Sequence, residues 1–176
     1  MIREFNSYRE ILAIDPGLHA TGWAVLSDKT GALLECGIVR PFAEVSQTHT
    51  IAELRSKIMK IWEERVGFSK NPAVLAIEMP FSCQQELEAI PVSVMNGLLW
   101  ASLNPGKCFL PKAATWKGQT SKIVMQENII SKLNTNSKRV LAESLHVIPK
   151  YLRHNVYDAV GIGQWAFKQL QQGEAK

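Results

Sequence analysis

At 176 residues, 46% of them hydrophobic and 20% charged, the chain can bury one sizeable core, so a single domain spanning residues 1–176 is expected. Twenty Lys plus Arg against sixteen Asp plus Glu give a formal net charge of +4, which favours a polyanionic partner without requiring one. Three unevenly spaced cysteines without a CxxC pair argue against a disulfide framework or a zinc site, and no apolar run approaches the ~20 residues of a membrane span, so a soluble, cytoplasmic protein is expected.

The leader Met1 to Glu10 is short and polar, without the apolar centre of a secretory signal. Ile11-Leu12-Ala13-Ile14 is then a continuous apolar run that stops at Asp15-Pro16-Gly17, and it reads as a buried strand ending on an acid at a turn. Thr21 to Ser27 and Ala32 to Arg40, separated by the turn residues Asp28 to Gly31, complete an expected antiparallel meander. The period then changes. Ile51, Leu54, Ile58 and Ile61 lie at helical spacing, with Thr50 and Glu53 placed as a capping box and Gly67 as a stop.

Val74 to Ile77 repeats the earlier pattern: an apolar run that delivers an acid, Glu78, at its exit. A helix is expected from Leu87 to Leu103 with Pro91 in its first turns, a short strand from Lys107 to Leu110, a helix from Ser121 to Leu133, and a last helix from about Asn155 to Gln171. The helix Ile90 to Leu103 is apolar nearly all round, which suits either a dimer interface or the centre of a monomer. Strands first, then alternating helices and strands, argue for a mixed α/β sheet covered by helices.

Charge is local. Between Lys107 and Arg139 lie Lys107, Lys112, Lys117, Lys122, Lys132, Lys138 and Arg139 against Glu127 alone, either a phosphate-binding stripe or a solvated surface. The acids carry the sharper signal. Asp15 and Glu78 both leave buried strands at the edge where open α/β sheets place their sites. Asp158 sits in the apolar segment Val156 to Trp165, where an unpaired charge is costly unless it faces a cleft or a cation. Each has an ordinary alternative: a turn hydrogen bond for Asp15, a cap or salt bridge for Glu78, a helix first turn for Asp158. Together, three separated acids of this kind can hold a hard cation such as Mg²⁺.

Ile11 to Leu26, ILAIDPGLHATGWAVL, resembles the first hairpin of the RuvC-type Holliday-junction resolvases. Leu75 to Phe81, LAIEMPF, is similar to the family's strand with its catalytic glutamate and following aromatic, and Asp158-Ala159 with Gly161-Ile162-Gly163 is similar to its final acidic helix. The resemblance runs in the same order over nearly the whole chain; the short form and divergent motifs look like those of a phage-type member. It implies a ribonuclease H-like fold, a mixed five-stranded sheet in the order βββαβαβα flanked by helices. It also implies a crossover junction endodeoxyribonuclease with two Mg²⁺ ions, replaceable by Mn²⁺, and no small-molecule cofactor or membrane. The partners implied are four-way or branched DNA and a second copy of the chain, a homodimer cutting symmetrically to leave 5′-phosphate and 3′-hydroxyl ends.

By the same resemblance Asp15, Glu78 and Asp158 are catalytic and metal-holding residues. The family's Asp or His three residues before the last aspartate is replaced here by Asn155, with His154 beside it. Asn155 would supply a neutral oxygen or His154 would turn inward as ligand or base; alternatively, Asn155 is the helix N-cap. Phe81 stands where the family stacks an aromatic on a base at the crossover, the alternative being a core or dimer contact. Lys112, Lys117 and Lys122 would contact the nucleic acid, the last two near the scissile phosphate. Of the tryptophans, Trp23, Trp62, Trp100 and Trp165 read as core or interface residues, and Trp116 alone lies in a basic setting.

Two other nuclease-fold readings stay open, a ribonuclease H-like enzyme acting on other branched DNA, RNA:DNA hybrid or structured RNA, and a non-catalytic junction-binding protein. An actin-like ATPase also carries an Asp-Pro-Gly turn, but it needs two such domains and a second glycine-rich loop that this chain lacks.

Overall fold

The computed structural model describes residues 10–42, 46–65, 73–80 and 86–174. Strands β1 (Glu10–Asp15), β2 (Thr21–Ser27) and β3 (Leu33–Val39) form the meander. Helix α1 (Gln47–Arg65) leads to β4 (Val74–Ile77), and α2 (Glu86–Leu103) to β5 (Lys107–Phe109). The chain ends in α3 (Ala113–Trp116), α4 (Lys122–Ser131), α5 (Thr135–Val147) and α6 (Arg153–Glu174).

The sheet order is β3-β2-β1-β4-β5. β1 pairs antiparallel with β2 and parallel with β4, so the two strands that end in acids lie side by side at the centre. Central position explains their unbroken apolar runs, because both faces are covered. Ile11, Ala13, Val74 and Ala76 face a core built with α4, α5 and α6. Leu12, Ile14, Leu75 and Ile77 face a second core built with α1 and α2. A register slip of one residue would exchange these two sets.

The expected five-stranded mixed sheet is present, but the order βββαβαβα is too short: four helices follow β5. Sequence reading missed the four-residue α3 and, with more consequence for the sheet, α5. The inward stripe of α5 is Ser137, Leu141 and Leu145, and the serine breaks the apolar period. Ser137 is fully buried, accepts from the Leu33 amide at 2.9 Å, and donates to the Leu33 carbonyl, while the Ser144 hydroxyl donates to the Cys36 carbonyl at 2.8 Å. These bonds cover the outer strand β3, whose backbone would otherwise be an open edge.

The capping-box reading of Thr50 and Glu53 is corrected. Helix α1 begins at Gln47, and the Ser46 hydroxyl accepts from the His49 amide. Thr50 is buried within the helix, and Glu53 pairs instead with Lys57 and accepts from the Phe42 amide. Gly67, the expected stop, lies outside the described residues. The last helix starts at Arg153, earlier than expected, after a 3-10 turn over Lys150–Leu152. Asn155 is therefore the third residue of α6 and not its N-cap.

In α2 the two apolar stripes separate. Met95 and Leu99 are fully buried, whereas Val94, Leu98 and Trp100 are exposed along with Ile90. Among the described residues no helix is long and apolar enough to cross a membrane.

Candidate active site at the carboxyl edge of the sheet

Ile14 pairs with Ile77 in the parallel register, so Asp15 and Glu78 leave the sheet at the same level on adjacent strands. The Glu78 amide continues this pairing by donating to the Ile14 carbonyl at 3.1 Å. Beyond Asp15, the Pro16-Gly17 turn is closed by Thr21, whose fully buried hydroxyl donates to the Gly17 carbonyl at 2.8 Å. The Thr-Gly of the first hairpin thus fixes the loop after the acid. Gly22, which pairs with Asp15, lets α6 approach: a Cβ there would lie 2.0 Å from the Asn155 carbonyl oxygen. The amide nitrogen of Asn155, itself buried, donates to the Ala20 carbonyl at 3.2 Å.

That clamp brings Asp158 on α6 to the strand ends. Asp15 is partly buried, and its carboxyl is held well above the usual carboxylate range, first by lost hydration and then by the charges of Asp158 and Glu78. Glu78 is also raised, mainly by burial, although Lys117 and a hydrogen bond from Trp116 oppose the shift. The three acids therefore share one electrostatic site. They do not form a finished cage: among the described residues, no three His, Cys, Asp or Glu side chains are gathered into a metal-binding group.

Two neighbours on one short turn engage the acids. Trp116 donates its indole N–H to Glu78 Oε2 at 2.5 Å. Lys117 Nζ lies 3.4 Å from Asp158 Oδ2, with the two side chains only 28% and 14% exposed. The other oxygen of Asp158, Oδ1, is buried without a hydrogen-bond partner. A buried, unpartnered carboxylate oxygen is costly unless a cation or a proton completes it. With three carboxylates as donors, the chemistry fits a hard divalent cation.

Helix α3 is itself anchored. A Cβ on Gly161 would lie 2.5 Å from Trp116 Cζ3, so the glycine leaves room for the indole one turn after Asp158. On the opposite side, the buried Asn96 of α2 donates to the Glu78 carbonyl at 3.0 Å. Neither Trp116 nor Asn96 was identified as a support for Glu78 from the sequence. The available signal was a lone Asn in the apolar helix around Met95 and Leu99.

The remaining candidates are spread around this centre. His154, the second residue of α6, is partly exposed, and its side chain makes no hydrogen bond among the described residues. Lys112 is exposed next to the edge, where its backbone bridges to Met79. Lys122 is exposed as the first residue of α4, behind the N-cap Ser121. Phe81 lies outside the described residues.

No protein-family model matches the chain. It is 27% identical over 169 residues to the crossover junction endodeoxyribonuclease RuvC of Chlorobaculum parvum, an alignment covering 93% of this chain and 82% of that protein. Identity to the RuvC of Synechocystis is 36% over 77 residues, 42% of this chain and 43% of that one. The fold is similar to T. thermophilus RuvC solved in complex with Holliday junction substrate, with a TM-score of 0.67 over 94% of this chain and 97% of that one, at 15% identity. It is also similar to the yeast mitochondrial Holliday junction resolvase Ydc2, with a TM-score of 0.68 over 96% of this chain and 81% of that one, at 12% identity. In both sequence and fold the chain is similar to RuvC.

Proposed function

We propose that the protein is a structure-selective DNA endonuclease that resolves four-way junctions by metal-dependent phosphodiester hydrolysis. The observation that carries the reading is the electrostatic coupling of Asp15, Glu78 and Asp158 at the edge of a RuvC-like sheet. In this reading the three carboxylates would hold two Mg²⁺ ions, with Mn²⁺ as a substitute. The bound cations would supply charge stabilisation at the scissile phosphate.

The chain's own residues do the positioning. Trp116 fixes one oxygen of Glu78, leaving Oε1 for the site. Lys117, paired with Asp158 here, is within reach of a phosphate that enters the same space, and Lys112 and Lys122 add charge at the rim. His154, one helical turn before Asp158, and the side-chain oxygen Oδ1 of Asn155, whose Nδ2 donates to the Ala20 carbonyl, are the two candidates for the fourth group. Water attacks phosphorus, the bond to the 3′ oxygen breaks, and that oxygen leaves with a proton. The products carry 5′-phosphate and 3′-hydroxyl ends.

Symmetric cutting needs two sites. The exposed Ile90, Val94, Leu98 and Trp100 of α2 would supply the contact between two copies. The cytoplasm is the expected setting, without small-molecule cofactor or membrane. A second reading, a non-catalytic junction-binding protein, draws on the absence of a gathered metal-binding group among the described residues. A panel of end-labelled four-way junction, flap, duplex and RNA:DNA hybrid, each with Mg²⁺ and with chelator, separates the readings. Nicks confined to the junction support the resolvase. Tight binding without nicks overturns it in favour of the binding protein, and nicks confined to another substrate keep the chemistry but replace the junction.

A further inference from the structure

A groove of about 660 Å³ opens beside the carboxylates and follows α6 from Gly161 to Gln172, with α3 and α4 as its other wall. At ~1.5 Å per residue this is roughly 16 Å, the length of about five nucleotides at ~3.4 Å along one strand. Its volume is that of a site for a small molecule or a few nucleotides, not of a duplex. Three features identify what it would hold.

The first is charge. Lys117, Lys132 and Lys168 line the groove, and no Asp or Glu does. Lys132 and Lys168 are exposed and form no ion pair among the described residues, so their charge is available to a polyanion. The second is aromatic surface. Trp116 and Trp165 both line the groove. The Trp165 ring is held edge-on by Phe109, with centroids 5.7 Å apart, and fixed rings of this kind serve as stacking platforms for unpaired bases. The third is continuity. Lys117 reaches Asp158 while lining the groove, and Trp116 reaches Glu78 from the same wall. A strand leaving the carboxylates would enter the groove directly. The walls are tied together by Gln164, whose amide donates to the Ile129 carbonyl at 3.1 Å.

We propose that this groove is a second nucleic-acid subsite, which seats a short single-stranded stretch of DNA continuing from the phosphate at the carboxylates. The proposal rests on the nuclease reading above and deepens it. Lys132 and Lys168 take backbone phosphates, and Trp165 stacks on a base. Trp165, read from the sequence as a core or interface residue, thereby acquires a binding role.

The test measures fluorescence anisotropy of a labelled four-way junction and of a labelled single strand, in chelator, across a salt series. The proteins compared are the full chain, Lys132→Glu/Lys168→Glu, and a charge-matched control, Lys60→Glu/Lys150→Glu, each checked by circular dichroism. The groove variant is expected to bind both ligands at least tenfold more weakly than the control, with the salt slope reduced by about two. Tryptophan quenching by the single strand should fall in Trp165→Phe. Affinity and slope equal to the control, or unchanged quenching in Trp165→Phe, overturn the groove subsite. Cleavage by the unmodified chain is scored separately: its loss on every branched substrate overturns the nuclease reading, whereas an intact cut with an unaffected groove variant overturns the subsite alone.

Discussion

The indole nitrogen of Trp116 lies 2.5 Å from Glu78 Oε2, so an aromatic residue on a four-residue helix holds the glutamate that leaves β4. A hydrogen bond to a charged group contributes about 1.5–3 kcal/mol, and here it also restricts how the carboxylate can turn. Trp116→Phe keeps the ring against Gly161 and removes the donor. Single-turnover cleavage of the junction should fall about tenfold, equivalent to ~1.4 kcal/mol, while junction affinity stays within twofold. Equal losses in affinity and rate would indicate that Trp116 acts on binding instead.

The crowding of acids predicts a stability effect with a definite sign. Asp15 and Glu78 have folded values above the ordinary carboxylate range, so the native state holds their protons more tightly than the unfolded chain does. Their contribution is favourable at low pH and is lost as pH rises from the ordinary range through the raised values. Asp15→Asn should therefore melt higher than the unmodified protein at neutral pH without metal, by about 2–4 °C for each kcal/mol relieved. The difference should narrow as pH falls toward the ordinary carboxylate range. Adding Mn²⁺ should reverse the order, because only the intact site gains a ligand. Identical melting curves at neutral pH would contradict the crowding.

Asn155 separates a structural role from a ligand role. Its amide links α6 to the Ala20 carbonyl, where loss of the partner leaves a buried acceptor unsatisfied, at a cost of about 1–3 kcal/mol. Asn155→Ala should lower the melting temperature in chelator by several degrees and change calorimetric Mn²⁺ affinity by less than threefold. A normal melting temperature with metal binding abolished would instead make Asn155 a ligand.

Much of this arrangement was legible in the sequence because it follows from burial. Ile11 to Ile14 and Val74 to Ile77 are covered on both faces, so their unbroken apolar runs declared central strands and located Asp15 and Glu78 at the exits. The meander was marked by its turn residues. What escaped detection depended on polar groups facing inward. Ser137 and Ser144 bind the backbone of β3 and thereby disguised α5 as a polar segment, although Asn134 is its N-cap, with the side chain accepting from the Ser137 amide at 2.8 Å. Trp116 and Asn96 support Glu78 from distant parts of the chain, through contacts that no local period encodes.

Helix α2 offers a test of the paired assembly. Val94 and Leu98 are 49% and 42% exposed, so acidic replacements should leave the monomer's core unaffected. Under the proposed pairing the unmodified chain should elute at twice the monomer mass in light-scattering chromatography, whereas Val94→Glu/Leu98→Glu should elute as a monomer and make single nicks in place of paired ones. A dimer that survives both charges would move the interface elsewhere.

The most direct test of the carboxylate centre is to map nicks on an end-labelled four-way junction incubated with Mg²⁺ and the intact protein, beside Asp15→Asn and a chelator control. Paired, symmetric nicks that vanish in the variant and with chelator are the predicted result. Nicks that persist in Asp15→Asn or without metal would contradict the assignment of Asp15, Glu78 and Asp158 as the reacting centre.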